Sequence, residues 1–445
     1  MTKINIIGGG LAGSEAAIYL AKNGVKVNLY EARPNLPTGA HVSSDFAELV
    51  CSNSLGSFDV ENASGLLKHE ALLMGSTLFK IALQNKVPSG GSLSVDRVKF
   101  HQDVTELIKS YSNINIINEE YAEIDLETPT IIASGPLTSK KLSNNISKLF
   151  GEENFSFFDA IAPIVKKNSI DFSSAFYASR WDKGDADYIN CPLNKEEYEN
   201  FYNILINSER IETKSFEAKF FESCLPIEVL ASRGVDTLRF GPMKPVGLFD
   251  RRIPTEFKRN QFYAVIQLRQ DNKIADLYNL VGFQTNLKWG EQKRLLQSVP
   301  ALKNCEIARY GVMHANTFIN SPKILNKTLQ SKKYPNLFFA GQLTGVEGYS
   351  ESITTGLFAA INILKYLKSE ELIELSDKSM LGALLSYITF PEHKNFQPIN
   401  SNWGIINKEE LPKSISKDKK AKNRFLSESA INYIKSMGFN NENYN

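Results

Sequence analysis

The run Ile4-Asn5-Ile6-Ile7, followed at once by Gly8-Gly9-Gly10-Leu11-Ala12-Gly13, constrains the fold of this chain more than any other feature. The first four residues suit a short buried strand. Small and apolar residues then recur at helical spacing through Ala16, Ala17, Ile18 and Leu20 until Asn23-Gly24, a helix stop. Val25, Val27 and Leu29 alternate as a second strand that ends on Glu31. The spacing predicts a βαβ unit in which Gly8 permits the tight turn, Gly10 lets the backbone approach a pyrophosphate at the helix N-terminus, and Gly13 lets helix and strand pack closely. Glu31 stands where a carboxylate accepts from ribose hydroxyls. The unit reads as a dinucleotide site, and the carboxylate suits FAD or NAD equally.

The second half of the chain bears on that choice. Asn336-Leu337-Phe338-Phe339-Ala340 reads as a strand, Gly341-Gln342-Leu343-Thr344-Gly345-Val346-Glu347-Gly348-Tyr349 as a glycine-rich turn, and the stretch from Ser350 or Ser352 to Leu367 as a helix. A late helix N-terminus of this kind suits the isoalloxazine and ribityl end of a flavin, which a simple NAD domain does not need; the plain alternative is a structural strand-turn-helix. Gly341, Gln342, Gly345, Glu347, Gly348 and Tyr349 thus join Gly8, Gly10, Gly13 and Glu31 as candidate cofactor residues. The short strand Thr130-Ile131-Ile132-Ala133-Ser134-Gly135 is typical of a return to the same sheet.

Between these ends the texture varies. Gly65 to Leu83, Asp103 to Tyr111 and Lys195 to Ile206 carry helical spacing, Tyr177 to Pro192 reads as a polar loop, and Phe262–Leu268 and Leu277–Phe283 read as strands. The expected organisation is an α/β Rossmann FAD-binding domain, residues 1–187 and 309–445, interrupted by a smaller α+β insertion domain, 188–308. With 445 residues, 42% of them hydrophobic, the chain has ample material for two cores. The 51 Lys and Arg against 49 Asp and Glu leave a net charge of +2, so a nucleic-acid partner needs a local basic surface. Pro412 to Arg424 offers one, rich in lysine, which serves either as a solvated helix face or as a contact to RNA backbone. The four cysteines, 51, 191, 224 and 305, lack the density of a secreted scaffold and the pairs of a zinc site, so no metal is expected. No apolar run approaches a membrane span, and a cytoplasmic location is expected.

Several longer strings carry a family resemblance. Phe46-Ala47-Glu48-Leu49-Val50-Cys51-Ser52-Asn53-Ser54-Leu55, Asp187-Tyr188-Ile189-Asn190-Cys191-Pro192, Cys224-Leu225-Pro226-Ile227-Glu228-Val229, Asn286 to Arg294, Arg309-Tyr310-Gly311-Val312-Met313-His314 and the turn from Gly341 to Tyr349 resemble, in order and over nearly the whole chain, the folate- and FAD-dependent RNA uracil-5-methyltransferases. That resemblance implies a glutathione-reductase-like FAD domain with an insertion, 5,10-methylenetetrahydrofolate as one-carbon donor, NADH or NADPH as reductant, and 5-methyluridine in structured RNA as product. It implies two functional cysteines: Cys224 as the thiolate that adds to uracil C6 and Cys51 as the thiol beside the flavin, or the reverse. Arg97, Lys288, Arg294, Arg309 and His314 are candidate contacts to folate, nicotinamide nucleotide or RNA, or exposed structural cations.

Two departures bear on the substrate. Gly56 and Ala315 stand where the family usually has arginine, which favours large-subunit (23S) ribosomal RNA, the substrate of a mollicute paralogue, over position 54 in the tRNA T-loop. A flavin oxidoreductase and a non-methylating tRNA-modification partner protein are the other readings.

Overall fold

The computed structural model describes residues 3–152, 155–182, 185–211, 225–253, 261–393 and 396–440, with backbone alone at 155–159, His314 and Ala315. Cys224, one of the two expected functional thiols, lies outside the described residues.

The first body is built on a five-stranded parallel sheet. Its strands stand side by side as Leu337–Phe339, Thr130–Ile132, Lys3–Ile7, Lys26–Tyr30 and Ile114–Ile117. Counted along the chain from the opposite edge this is the order 3-2-1-4-5 of a doubly wound nucleotide fold, so the strand order reverses between Lys3–Ile7 and Thr130–Ile132. Parallel strands covered on both faces are largely apolar, as Ile4, Ile6, Ile131, Leu337 and Phe338 are, each with no exposed surface, while the buried Asn5 and Asn28 bond each other. The helix Leu11–Lys22 and the long helix Tyr349–Leu367 pack against each other. Gly356 makes that approach possible, because a Cβ there would overlap the Ala12 backbone.

The helical stretch expected over Gly65 to Leu83 is two helices, Ala63–Leu73 and Leu78–Gln84, broken at Gly75, whose φ of +97° no continuing helix accepts. The helix expected from Asp103 begins earlier, at Arg97, and Asp96 caps it.

The second body is a six-stranded antiparallel sheet in the order Phe176–Ala178, Tyr188–Leu193, Ala264–Gln270, Leu277–Leu280, Ile164–Lys166, Ile307–Arg309. Two of its strands, Phe176–Ala178 and Tyr188–Leu193, bear on the reading of 177–192 as a polar loop. That stretch instead supplies two paired strands, because Ile189, Cys191 and Leu193 alternate into the second core while Asn190 bonds backbone carbonyls. Strands 164–166 and 176–178 precede residue 188, the expected start of the insertion. Among the described residues no helix is long and apolar enough to cross a membrane.

Candidate active site

One cleft opens at the carboxyl ends of the parallel strands, at the point where their order reverses. Gly8 and Gly10 line it after the first strand, Glu31 after the second, Ser134 and Gly135 after Thr130–Ile132, and Gly341 and Gln342 after Leu337–Phe339. The two glycine-rich turns, more than three hundred residues apart in sequence, therefore face one space. Two helix N-termini open into it. Gly10 caps Leu11–Lys22 and Gly348 caps Tyr349–Leu367, and neither glycine has a side chain to cap the helix, whose positive end faces the cleft.

Each early glycine has its own steric reason. Gly8 has φ +105°, and a Cβ there would press on the Ala133 carbonyl; a Cβ at Gly13 would overlap Gly8. At Gly10 nothing lies within 4 Å of the Cβ position, which is the open space a close-lying pyrophosphate requires. Gly9, which spacing did not single out, is excluded from a side chain by Phe46 and Glu31.

Glu31 is buried at the cleft wall. Its Oε2 accepts from the Gly9 amide (2.9 Å) and its Oε1 from Arg33 N and Nε (3.0 and 2.9 Å). Burial opposes its charge, but the hydrogen bonds and charge of Arg33 outweigh burial and hold the carboxyl below its usual range. Arg33 also reaches Glu48 at 3.5 Å, and Glu48 in turn accepts from the amides of Val42 and Ser43. Thus Arg33 ties the loop before Cys51 to the ribose end of the cleft, a role its position two residues past Glu31 did not reveal.

Of the late residues, Gly341 (φ +74°) packs against Ala12, Gln342 donates to Glu347, and Gly345 (φ +86°) seats Phe396. Gly348 has φ +116° beside the Glu351 carboxylate, and Tyr349 lines the cleft. The Tyr349 hydroxyl accepts from the Cys51 backbone N–H at 2.6 Å, which brings Cys51 to the cleft's edge. The half-buried Cys51 thiol also donates to Ala160 O at 3.7 Å. Burial pushes the Cys305 thiol up to about 11 and raises the Cys191 thiol as well, so both are packing groups of the second core.

The candidate cations separate. Arg97 is buried, forms a fork to Asp271 (3.0 and 3.3 Å) and donates to Leu49 O. Arg309 donates to the carbonyls of Ala40 and Val50 at 2.9 and 3.1 Å. Both stand behind the Cys51 loop. Lys288 and Arg294 do not join them: they are exposed at the helix Trp289–Gln297 and pair with Glu209 and Glu291. His314 lies in the strand Met313–Phe318, paired with Asp159. Arg269 and Asn53, neither of them nominated as site residues from the sequence, stand in the same Cys51 neighbourhood, with Arg269 Nε donating to Asn53 Oδ1 at 3.1 Å. An arginine as the one charged residue of the strand Ala264–Gln270 was the available signal.

Comparison with known proteins gives a consistent picture. A family model described as glucose inhibited division protein A matches residues 3–371. The chain is 53% identical over 434 residues to the methylenetetrahydrofolate–tRNA-(uracil-5-)-methyltransferase TrmFO of Fusobacterium nucleatum, covering 97% of this chain and 98% of that relative. It is 51% identical over 435 residues to the protein of the same name from Bacillus velezensis, covering 98% of each. The solved structure of Aquifex aeolicus GidA in its form II crystal superposes with a TM-score of 0.70 at 17% identity, over 99% of this chain and 74% of that one, a likeness of fold.

These relatives are named for tRNA, which overturns the expectation of ribosomal RNA. That expectation rested on lost cations at Gly56 and Ala315. Gly56 has φ +82°, and a Cβ there would lie 2.8 Å from the Ser64 hydroxyl and 3.8 Å from the buried Lys68 ammonium. Its glycine answers to a local turn, beside a cation already in place.

Proposed function

Since the chain belongs to the glucose inhibited division protein A family, within the folate-dependent uracil-5-methyltransferases, we propose that it is a cytoplasmic enzyme making 5-methyluridine at position 54 of the tRNA T-loop. The observation that carries this reading is the single cleft that joins two uncapped helix N-termini to Cys51 through Tyr349. Its residues fit FAD: the open space at Gly10 suits the pyrophosphate, Glu31 the adenosine ribose, and the Gly348–Tyr349 helix start the far end. When bound, FAD supplies the relay of one carbon and a hydride, fed by methylenetetrahydrofolate and by NADH or NADPH.

The protein's own part is positioning and covalent activation. Uracil C5 is a poor nucleophile until a thiolate adds to C6, and Cys224 is assigned that addition. Cys51, held by Tyr349 at its amide and backed by Arg97 at Leu49 O, stands at the flavin end. The target uridine must be unstacked for C6 to be reached.

Isotopically labelled methylenetetrahydrofolate, NADPH and tRNA lacking 5-methyluridine test the reading together. Label is expected in the methyl group of the tRNA nucleoside by mass spectrometry. Methyl label that arrives only from S-adenosylmethionine, or no methylation of tRNA, would refute it.

A further inference from the structure

Four guanidiniums, Arg33, Arg97, Arg269 and Arg309, and three carboxylates, Glu31, Glu48 and Asp271, gather around the Cys51 loop and the ends of the two sheets. Arg33 joins Glu31 and Glu48, and Arg97 pairs with Asp271. Arg309 and Arg269 have no ion-pair partner among the described residues. Arg309 uses a terminal nitrogen on the carbonyls of Ala40 and Val50. Arg269 differs: Nε donates to Asn53, and its two terminal nitrogens have no hydrogen-bond acceptor among the described residues.

Its placement is costly. The half-buried Arg269 is within electrostatic range of Arg97, so two like charges share one carboxylate, Asp271, in a site partly removed from water. Burial lowers the tendency of Arg269 to hold its proton. Both Arg97 and Arg269 also interact with Cys51. Asn53 fixes the direction of the guanidinium, for its amide nitrogen donates to the carbonyls of Val95 and Gln270, both at 2.9 Å. A donor pair aimed by Asn53, reachable by solvent and without a protein acceptor among the described residues, is suited, beside the Cys51 thiol, to an oxygen on which negative charge develops.

The reaction proposed above generates such an oxygen. When a thiolate sulfur forms its bond to uracil C6, the C5–C6 π pair becomes a C4–C5 π bond and the C4–O4 π pair moves onto O4, leaving an enolate whose C5 then attacks the one-carbon unit; no electrons are gained or lost in the addition. We propose that the terminal N–H groups of Arg269 donate to O4 of the target uracil and stabilise this enolate, which makes Arg269 a further catalytic residue. The proposal rests on the uracil-methylation reading.

The test uses the flavin-loaded enzyme with tRNA carrying 5-fluorouridine, in the presence of methylenetetrahydrofolate and NADPH, because fluorine at C5 traps the C6 adduct as a covalent protein–RNA species visible on a denaturing gel. Arg269→Ala is expected to slow adduct formation about 100-fold, the usual loss for one oxyanion donor. Flavin absorbance and tRNA Kd should stay within twofold of wild type. Arg269→Lys, which keeps the charge without the fork, should fall between. Wild-type adduct rates in both variants overturn the proposal. A weakened tRNA Kd that accounts for the slowing assigns Arg269 to RNA docking, and loss of flavin assigns it to the cofactor; either overturns it. Failure of the underlying reading is distinguishable, since wild type would then neither methylate ordinary tRNA nor form the adduct. Methylation by wild type without an adduct would reject the C6 addition and this role with it.

Discussion

At the residue scale, two glycines three positions apart do different work. Gly13 is required by packing, since a Cβ would overlap Gly8, whereas Gly10 faces open cleft. Gly10→Val is therefore expected to fold with a thermal midpoint near that of wild type and to be purified without flavin absorbance; normal flavin stoichiometry in that variant would sink the cofactor assignment. The cysteines divide similarly. Cys191 and Cys305 are buried thiols whose protons burial holds on, while Cys51 is half buried at the cleft edge. Cys224→Ala should abolish tRNA methylation while retaining FAD, and Cys51→Ala should reduce turnover and perturb the flavin spectrum. Both are read by methyl incorporation and absorbance, and methyl transfer that persists in Cys224→Ala rejects that residue as the nucleophile.

At the element scale, buried carboxylates cap distant helices. Glu15, on the nucleotide helix, accepts from the amides of Thr77 and Leu78 at the start of Leu78–Gln84. Glu70, on Ala63–Leu73, accepts from Met380 N (2.7 Å) and Leu381 N (2.9 Å) at the start of Met380–Ile388. A carboxylate at a helix N-terminus satisfies orphan amides and meets the positive end of the helix dipole. Burial nevertheless pushes Glu70 up to about 7, against the pull of those two amides. Folded protein then holds a proton that the unfolded chain releases above its ordinary value of 4.5. The contribution to stability is complete below about pH 4.5, declines as the pH rises toward 7, and levels off above it. Glu70→Gln keeps an acceptor oxygen and cannot ionise. Its thermal midpoint relative to wild type should rise between pH 5 and pH 8, and a difference that stays constant across that range would show that Glu70 does not titrate as described.

At the scale of the whole molecule, the two bodies are joined by an ion pair and a set of hydrogen bonds. Arg97 at the head of Arg97–Ser110 forks to Asp271, just past the end of the strand Ala264–Gln270. Asn53 bonds Gln270 O, and the Tyr188 hydroxyl donates to Ser89 O at 3.0 Å. Asp271→Ala leaves a buried guanidinium unpaired, a change that costs about 3–5 kcal/mol. Because Arg97 also holds Leu49 O behind Cys51, methylation should fall with stability. Denaturant unfolding and turnover check this. The double change Arg97→Met with Asp271→Leu should recover most of the stability but not the activity; equal recovery of both would remove Arg97 from any part in placing the Cys51 loop.

How much of this was legible depended on whether the signal was local. The nucleotide unit from Ile4 to Glu31 and the late strand-turn-helix from Leu337 to Leu367 follow from spacing within a few turns of chain, and both formed as read. The strings around Cys51 pointed to the family for the same reason. The stretch 177–192 was misread because its polar residues are satisfied by cross-strand partners, Asn190 by Ala178 O and by Gln267 Nε2, that local polarity does not disclose. By itself the sequence determined the glycine turns, the acid after the second strand and the parallel fold they require. Only the tertiary structure decided that both turns face one cleft and that Glu70 caps a helix 310 residues away. It also set Arg269 and Arg97 beside Cys51 around a single Asp271. The physical reason is that periodicity records which face of an element is buried, whereas a hydrogen bond or ion pair between distant residues leaves no periodic trace until folding brings the two groups together.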